Sequence, residues 1–326
     1  MSDPTDALAE ARALEEAGQH AAAQEAALRA VLKLREDEGD RPGLAEVRHQ
    51  LAQVLLLQDR GAEALGEVQA GLELCDRAGE EAERAALLVL SAQIAVVQDN
   101  PVRALAVAKQ SVTLARQGNK RRVLIDALVQ YALLDSDAET ARALLEEALD
   151  GAELLKELPL RARILQQLAG IEAGLGLIDD ALGRLRYGAE TWAELKEPGE
   201  QLEALHAAGE IATTHGRHPE AIDFGLLQQR IAAALQEPSA LGAARFVTGQ
   251  RRLAAGDLEG AASDFRGSIE AYPMREAKGV GGAMLGQILA ALGRVDEARA
   301  VLRQARTDLE GTDGVGEIDS ILAALG

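Results

Sequence analysis

The sequence predicts an all-α fold: eight antiparallel helical hairpins in a row, closed by a C-terminal capping helix. Three observations predict it. The phrase "LGRVDEAR" at 292–299 has near-copies upstream, "AGDLEGAA" at 255–262, "HGRHPEAI" at 215–222 and "LGLIDDAL" at 175–182. Small residues recur at two fixed distances from the alanine of each copy. Prolines stay out of every predicted helix interior.

The alanine after each turn gives the register: Ala23, Ala64, Ala104, Ala141, Ala181, Ala221, Ala261 and Ala298, at intervals of 41, 40, 37, 40, 40, 40 and 37 residues. A fixed period in this range marks a repeat architecture. The units run approximately 4–40, 41–79, 80–118, 119–157, 158–197, 198–237, 238–275 and 276–310, with a capping segment 311–326. Twelve residues before the anchors, seven of eight positions are Ala or Gly, Val129 being the exception. Seven residues after them, seven of eight are small, Gln228 being the exception. Helix packing distance depends on the side chains at the contact. Each unit is therefore a tight pair, helix A before the turn and helix B after it.

Proline suits only the first turn of a helix or the chain outside it. Pro4 stands at the chain start. Pro42, Pro159, Pro198 and Pro238 fall between a helix B and the next helix A, Pro101 and Pro219 at A-to-B turns, and Pro273 at the end of a helix B. Asn100, Asp137 and Asp257 stand where helix B needs an N-cap. At the C-terminus, 311–316 reads as a loop and 317–325 as a capping helix. That helix lays Ile318, Ile321, Leu322 and Leu325 on the last unit, because an array must cover its terminal apolar face. The 40-residue rhythm leaves no room for a linker, so residues 1–326 are expected to form a single continuous array.

Composition agrees. Apolar residues make up 48% of the chain but aromatics only 2%. Alanine and leucine dominate, and both are strong helix formers. No long stretch alternates with period 2, so strands are not expected. The net charge of -19 argues against nucleic acid or an anionic membrane as a partner. It leaves open solubility alone or a preference for basic partners. The single cysteine, Cys75, allows no intrachain disulfide and reads as a small apolar helix residue. The start "MSDPTDALAEAR" has no leader pattern, and no 18-residue apolar run exists. A soluble, cytoplasmic protein is expected. The 28 Arg against 6 Lys, with abundant Ala and Gly, resembles the usage of a GC-rich bacterium.

The order small–turn–Ala–small resembles the tetratricopeptide repeat (TPR). Gly176, Gly216, Gly256 and Gly293 match that family's turn glycine, and Pro273 in "EAYP" matches the proline that closes a unit. The period is closer to 40 than to the family's roughly 34, and Leu and Ala replace most of its bulky aromatics. Longer units of this kind resemble the variants in kinesin light chains and bacterial regulatory proteins. The resemblance implies a right-handed superhelical solenoid whose A helices line a concave groove.

Eleven residues before the anchors, the position expected to face that groove holds Arg12, Gln53, Gln93, Gln130, Gly170, Glu210, Gln250 and Gln287. A glutamine amide can donate to a backbone carbonyl and accept from a backbone N–H. A row of them can hold an extended peptide, as an asparagine ladder does in related arrays. Contacts between adjacent helices and solvated filler are the alternatives. Leu56, Val89, Val96 and Leu133 add an apolar strip beside Gln53, Gln93 and Gln130, either an interaction site or packing against the next helix. Phe246 is the one aromatic on the groove, as a ligand anchor or as core. The family's clamp of Lys, Arg and Asn for acidic tails looks absent.

Chemistry-bearing patterns are weak. His206, Glu210 and Glu203 share a helix face without a second metal-ligand histidine, so groove or interhelix pairing, for example to Arg163, is the better reading. The glycines of "KGVGGAMLGQ" at 278–287 lack the strand and terminal Gly-Lys-Ser/Thr of a phosphate loop. No catalytic residues, metal or cofactor are expected. The expected function is a non-catalytic scaffold that binds a peptide or partner helix in its groove. The alternatives are a regulatory sensor tightened by a small peptide or ligand, and a self-assembling structural protein.

Overall fold

The computed structural model describes residues 19–75 and 80–326, with backbone alone at Arg41 and Pro42. Pro4, Ala11 and Arg12 lie outside the described residues. The chain divides into two compact units, Met1–Ile164 and Leu165–Gly326.

In the first unit, α1 (His20–Glu38) carries the first anchor, Ala23. The second hairpin is α2 (Arg41–Leu57) with α3 (Gly61–Leu74), and the third is α4 (Glu81–Val97) with α5 (Pro101–Gln117). The fourth is α6 (Arg121–Leu134) with α7 (Ala138–Leu155). Helix α8 (Leu158–Gly174) spans the point of division. The second unit continues with α9 (Ile178–Leu195), α10 (Pro198–Thr214), α11 (His218–Leu235), α12 (Pro238–Ala254) and α13 (Leu258–Ala271). It closes with α14 (Arg275–Ala291), α15 (Val295–Asp308) and α16 (Val315–Ala324). Among the described residues there are helices and no strands, so the fold is all-α.

All eight anchor alanines are buried. So are the described small residues twelve before and seven after them, which is what close antiparallel packing requires. The two exceptions behave differently. Val129 is half-buried, while Ala127 and Ala132 take the buried positions of α6. Gln228 is buried all the same, and donates from Nε2 to the Leu202 carbonyl at 3.0 Å.

The turns carry the backbone strain. The residue five before the anchor is left-handed at Gly176, Gly216, Gly256 and Gly293, and also at Asp59 (φ 60°) and Asp99 (φ 54°). Glycine adopts that conformation without a Cβ penalty, and aspartate is one of the few other residues that does so regularly. Unit 4 departs here. α6 ends at an extended Asp135 with no left-handed residue, which shifts the register and moves Val129 out of the small-residue slot.

Asn100, Asp137 and Asp257 do cap their helices, accepting from the backbone N–H of Arg103, Thr140 and Gly260. A second solution occupies the same slot elsewhere. Arg60, Arg217 and Arg294 each grip the glutamate three residues on: Arg60 to Glu63 at 2.6 Å, Arg217 to Glu220 at 2.5 Å and Arg294 to Glu297 at 2.6 Å. Each also reaches an acid of the preceding B helix: Glu25 at 2.6 Å, Asp179 at 2.8 Å and Glu259 at 3.4 Å. These hydrogen bonds hold the Glu63, Glu220 and Glu297 carboxyls below the usual carboxylate range. The sequence carries the signal as Arg-x-x-Glu-Ala, at 60–64, 217–221 and 294–298.

Two boundaries differ from expectation. Cys75 is buried one residue beyond α3, at its C-cap, rather than inside the helix. The capping helix begins at Val315, two residues early. Its Ile318 is buried against Leu302, Ala305 and Leu309, with Ile321, Leu322 and Leu325 packed on the same cluster. No helix among the described residues is long and apolar enough to cross a membrane.

Candidate functional site

In the first unit, α2 packs on α4 and α4 on α6, so the A helices form a continuous face. Burial of Leu51, Leu55, Leu90 and Ile94 on the core side fixes the rotation of α2 and α4. The opposite stripe is then left outward. Between these two helices, beside Gln24 of α1, lies a hollow of about 500 Å³. Four glutamines line it: Gln24, Gln50, Gln53 and Gln93. Its apolar wall is Leu56, Leu57 and Val97 over buried Val54 and Leu90. Leu57 is 85% exposed and Val97 is 63% exposed. Among the described residues, no charged side chain lines the hollow. Its wall offers amide groups and apolar surface, the two things that recognise a peptide without regard to its charge.

The expected site residues divide. Gln53, Leu56 and Gln93 line this hollow together. Gln130 is buried and accepts from Gln93 Nε2 at 3.2 Å, so one rung of the row is tied up between adjacent helices. Val96 and Leu133 are exposed on α4 and α6 outside the lining, at 48% and 55%. Val89 is buried in the core, so it adds nothing to an exposed strip. In the second unit, Gln250 is exposed on α12, and Gln287 donates to Glu317 of the capping helix at 3.3 Å. Phe246 packs edge-to-face on Phe265 with ring centroids 5.2 Å apart and belongs mostly to the core. Leu57, Val97, Gln24 and Gln50 were not among the expected residues. A signal existed in the paired apolar residues that end α2 and α4, "LLL" at 55–57 and "VV" at 96–97.

Glu210 finds a partner other than Arg163. Arg251, only 2% exposed, places Nη2 3.7 Å from Glu210 Oε1. It also donates to Gln228 Oε1 at 3.1 Å and to the His206 carbonyl at 3.2 Å. Burial pushes its pKa down from the ordinary arginine value, and the Glu210 carboxylate opposes that shift. Gly209 makes room for it: a Cβ there would overlap the guanidinium. Gln228, the one large residue in a small slot, was the visible trace of this buried arginine.

No titratable constellation accompanies either region. Burial raises the Asp126 and Asp264 carboxyls, but arginines Arg122 and Arg252 sit against them as ion pairs. Among the described residues, no three His, Cys, Asp or Glu side chains converge as a metal site would require.

No protein-family model matches the sequence, and no curated protein matches it. Solved structures do. The apo form of RapI is similar with a TM-score of 0.62 at 9% identity, over 86% of this chain and 80% of that one. A signal-transduction ATPase with a TPR sensor from Pyrococcus horikoshii is similar with a TM-score of 0.61 at 10% identity. That match covers 99% of this chain and 55% of the archaeal one. Aspartyl phosphate phosphatase F from Bacillus subtilis gives a TM-score of 0.50 at 13% identity, over 85% and 74% of the two chains. Identities this low speak for the fold alone, and with the paired helices, buried anchors and left-handed turns they agree on one. This chain has the tetratricopeptide-repeat fold.

Proposed function

We propose that the protein is a non-catalytic interaction scaffold that takes a peptide or partner helix along the A-helix face of its first unit. The observation that carries this reading is the uncharged hollow of α2 and α4, with its glutamine wall and the exposed Leu57 and Val97 at its edge. Apolar surface so exposed is stabilised when a partner covers it, by about 25 cal/mol per Å² buried. The Gln53 amide and the Gln93 carbonyl oxygen, whose own Nε2 is spent on Gln130, supply backbone-type hydrogen bonds, each worth about 1 kcal/mol net. A protein partner, rather than nucleic acid or membrane, and a cytoplasmic location belong to the same proposal.

A partner isolated by pull-down gives the test. The change of Gln53, Gln93 and Gln130 to Ala removes the Gln53 amide and the Gln93 carbonyl as ligand groups, together with both halves of the Gln93–Gln130 bond. About 2 kcal/mol is lost, or roughly thirtyfold in affinity, while melting barely shifts. Equal affinity of the triple variant and the wild type at unchanged melting temperature rules out this face. A sensor role is the second reading, favoured by the likeness to a chain whose TPR region is described as a sensor. Scattering curves with and without the partner separate the two, since a sensor changes shape and a rigid scaffold does not. Self-assembly shows directly in light scattering.

A further inference from the structure

We propose that the second unit carries a separate site, the hollow between α9, α11 and α12, which binds an acidic peptide segment through arginines over an apolar floor. The hollow measures about 730 Å³. Arg186 of α9, Arg230 of α11 and Arg245 of α12 line it. Its floor is apolar, with Phe224 and Leu241 among the lining residues.

The three arginines stand apart from most others in this chain. Acids outnumber Lys and Arg by 53 to 34, and arginines such as Arg60, Arg217 and Arg294 are bound by two acids each. Arg186, Arg230 and Arg245 have no carboxylate within 4.0 Å among the described residues. Arg186 lies over the Phe224 ring, its guanidinium carbon 5.5 Å from the ring centroid, and both side chains line the hollow. Arg245 spends one N–H on the Gly267 carbonyl at 3.0 Å and keeps the rest of its fork. Gln229, also in the lining, donates to Asp264 at 3.1 Å, which leaves its carbonyl to accept from a ligand N–H.

Unpaired guanidinium forks match carboxylates two at a time. The apolar floor calls for an apolar side chain between them. A phosphate polymer fits worse. Its backbone offers no N–H to the Gln229 carbonyl and no apolar side chain to the floor. Beyond Arg245 the signs mix: the neighbouring hollow shares Gln229 and Arg245 and is lined by Arg266 together with Asp264 and Glu270. The ligand is therefore a short acidic run with an apolar residue inside it, followed by a neutral or basic continuation.

The test is fluorescence anisotropy of the full chain with a labelled peptide Asp-Leu-Glu-Glu-Leu-Asp and its Asn/Gln counterpart. The acidic peptide binds and the neutral one binds at least tenfold more weakly. Arg186→Glu and Arg230→Glu each weaken binding roughly fivefold or more, and 1 M salt abolishes it. Arg303→Glu, an exposed change of the same charge on α15, leaves it unchanged, as does the triple glutamine variant of the first unit. Arg230→Gln repeats the reading at smaller amplitude, and circular dichroism checks that each variant stays helical. Equal binding of the two peptides, or equal loss from Arg303→Glu and Arg230→Glu, overturns the proposal. A short single-stranded oligonucleotide that binds more tightly than the peptide, through the same arginines, overturns it in favour of nucleic acid.

Discussion

Ala52 and Ala92 of the first unit and Gly209, Gly249 and Gly286 of the second occupy the same repeat slot, yet the space around them is filled in opposite ways. The alanines are buried with their own methyl groups in the slot. The glycines leave it open and a large neighbour enters: Arg251 at Gly209, Phe265 at Gly249 and Leu302 at Gly286. The Phe265 ring lies 3.1 Å from where a Cβ of Gly249 would be. A repeat thus specifies a volume rather than a residue. The first unit fills it from inside the slot and keeps its outer face free for Gln53, Leu57 and Val97. The second unit, beyond Ala169 at its start, fills it from the neighbouring helix and draws a charged side chain into the core.

The largest effect that can break this comparison is at Gly209. Gly209→Leu must expel the Arg251 guanidinium and strip Gln228 of its donor, at a cost of about 3 kcal/mol. The counterpart in the first unit, Ala92→Gly, should cost about 1 kcal/mol, mostly helix propensity, because nothing large waits to fill the slot. Urea unfolding followed by circular dichroism reads both. Equal costs would mean that the two slots are filled alike after all.

A pH-linked difference comes next. Burial holds the His49 imidazole of α2 below the ordinary histidine value, with the Glu46 carboxylate opposing. The unfolded chain takes up this proton near the usual pKa of about 6.5, and the folded chain only at lower pH. Between those two values the unfolded state binds more protons, so stability is present above the window and is lost as pH falls through it. His49→Gln should flatten the melting-temperature slope between pH 7 and pH 5. An unchanged slope would place the acid sensitivity elsewhere.

The smallest effect sharpens the turn comparison. Asp99 sits left-handed where the second unit uses glycine. Asp99→Gly relieves the Cβ penalty but loosens the unfolded chain, for a net gain of about 0.5 kcal/mol or less. Gly256→Asp in the second unit should lose a similar amount. A gain from both changes would show that the turns are not equivalent.

Much of the fold was legible because its determinants are local and repeated. Buried anchors, caps at Asn100, Asp137 and Asp257, and turn glycines each depend on residues within one helix pair, and seven intervals report the same register. Unit 4 escaped because α6 stops at Asp135 with no left-handed residue, and the short 37-residue interval that accompanies this recurs before Ala298, where Gly293 keeps the usual turn. The candidate site was half legible. Helical spacing placed Gln53, Gln93 and Leu56 on one stripe, but spacing cannot tell which amide a neighbouring helix takes, and Gln130 went to Gln93.

What the sequence determined by itself is the list of volumes and periods: where helices start and stop, which alanines are buried, and that no strand competes. Only the tertiary structure decided which side chain from another helix enters each vacant volume, and so which polar groups remain outside. Arg251 shows why. Its partners Glu210, Gln228 and the His206 carbonyl lie 41, 23 and 45 residues away. A guanidinium is buried only where several such distant acceptors converge in three dimensions.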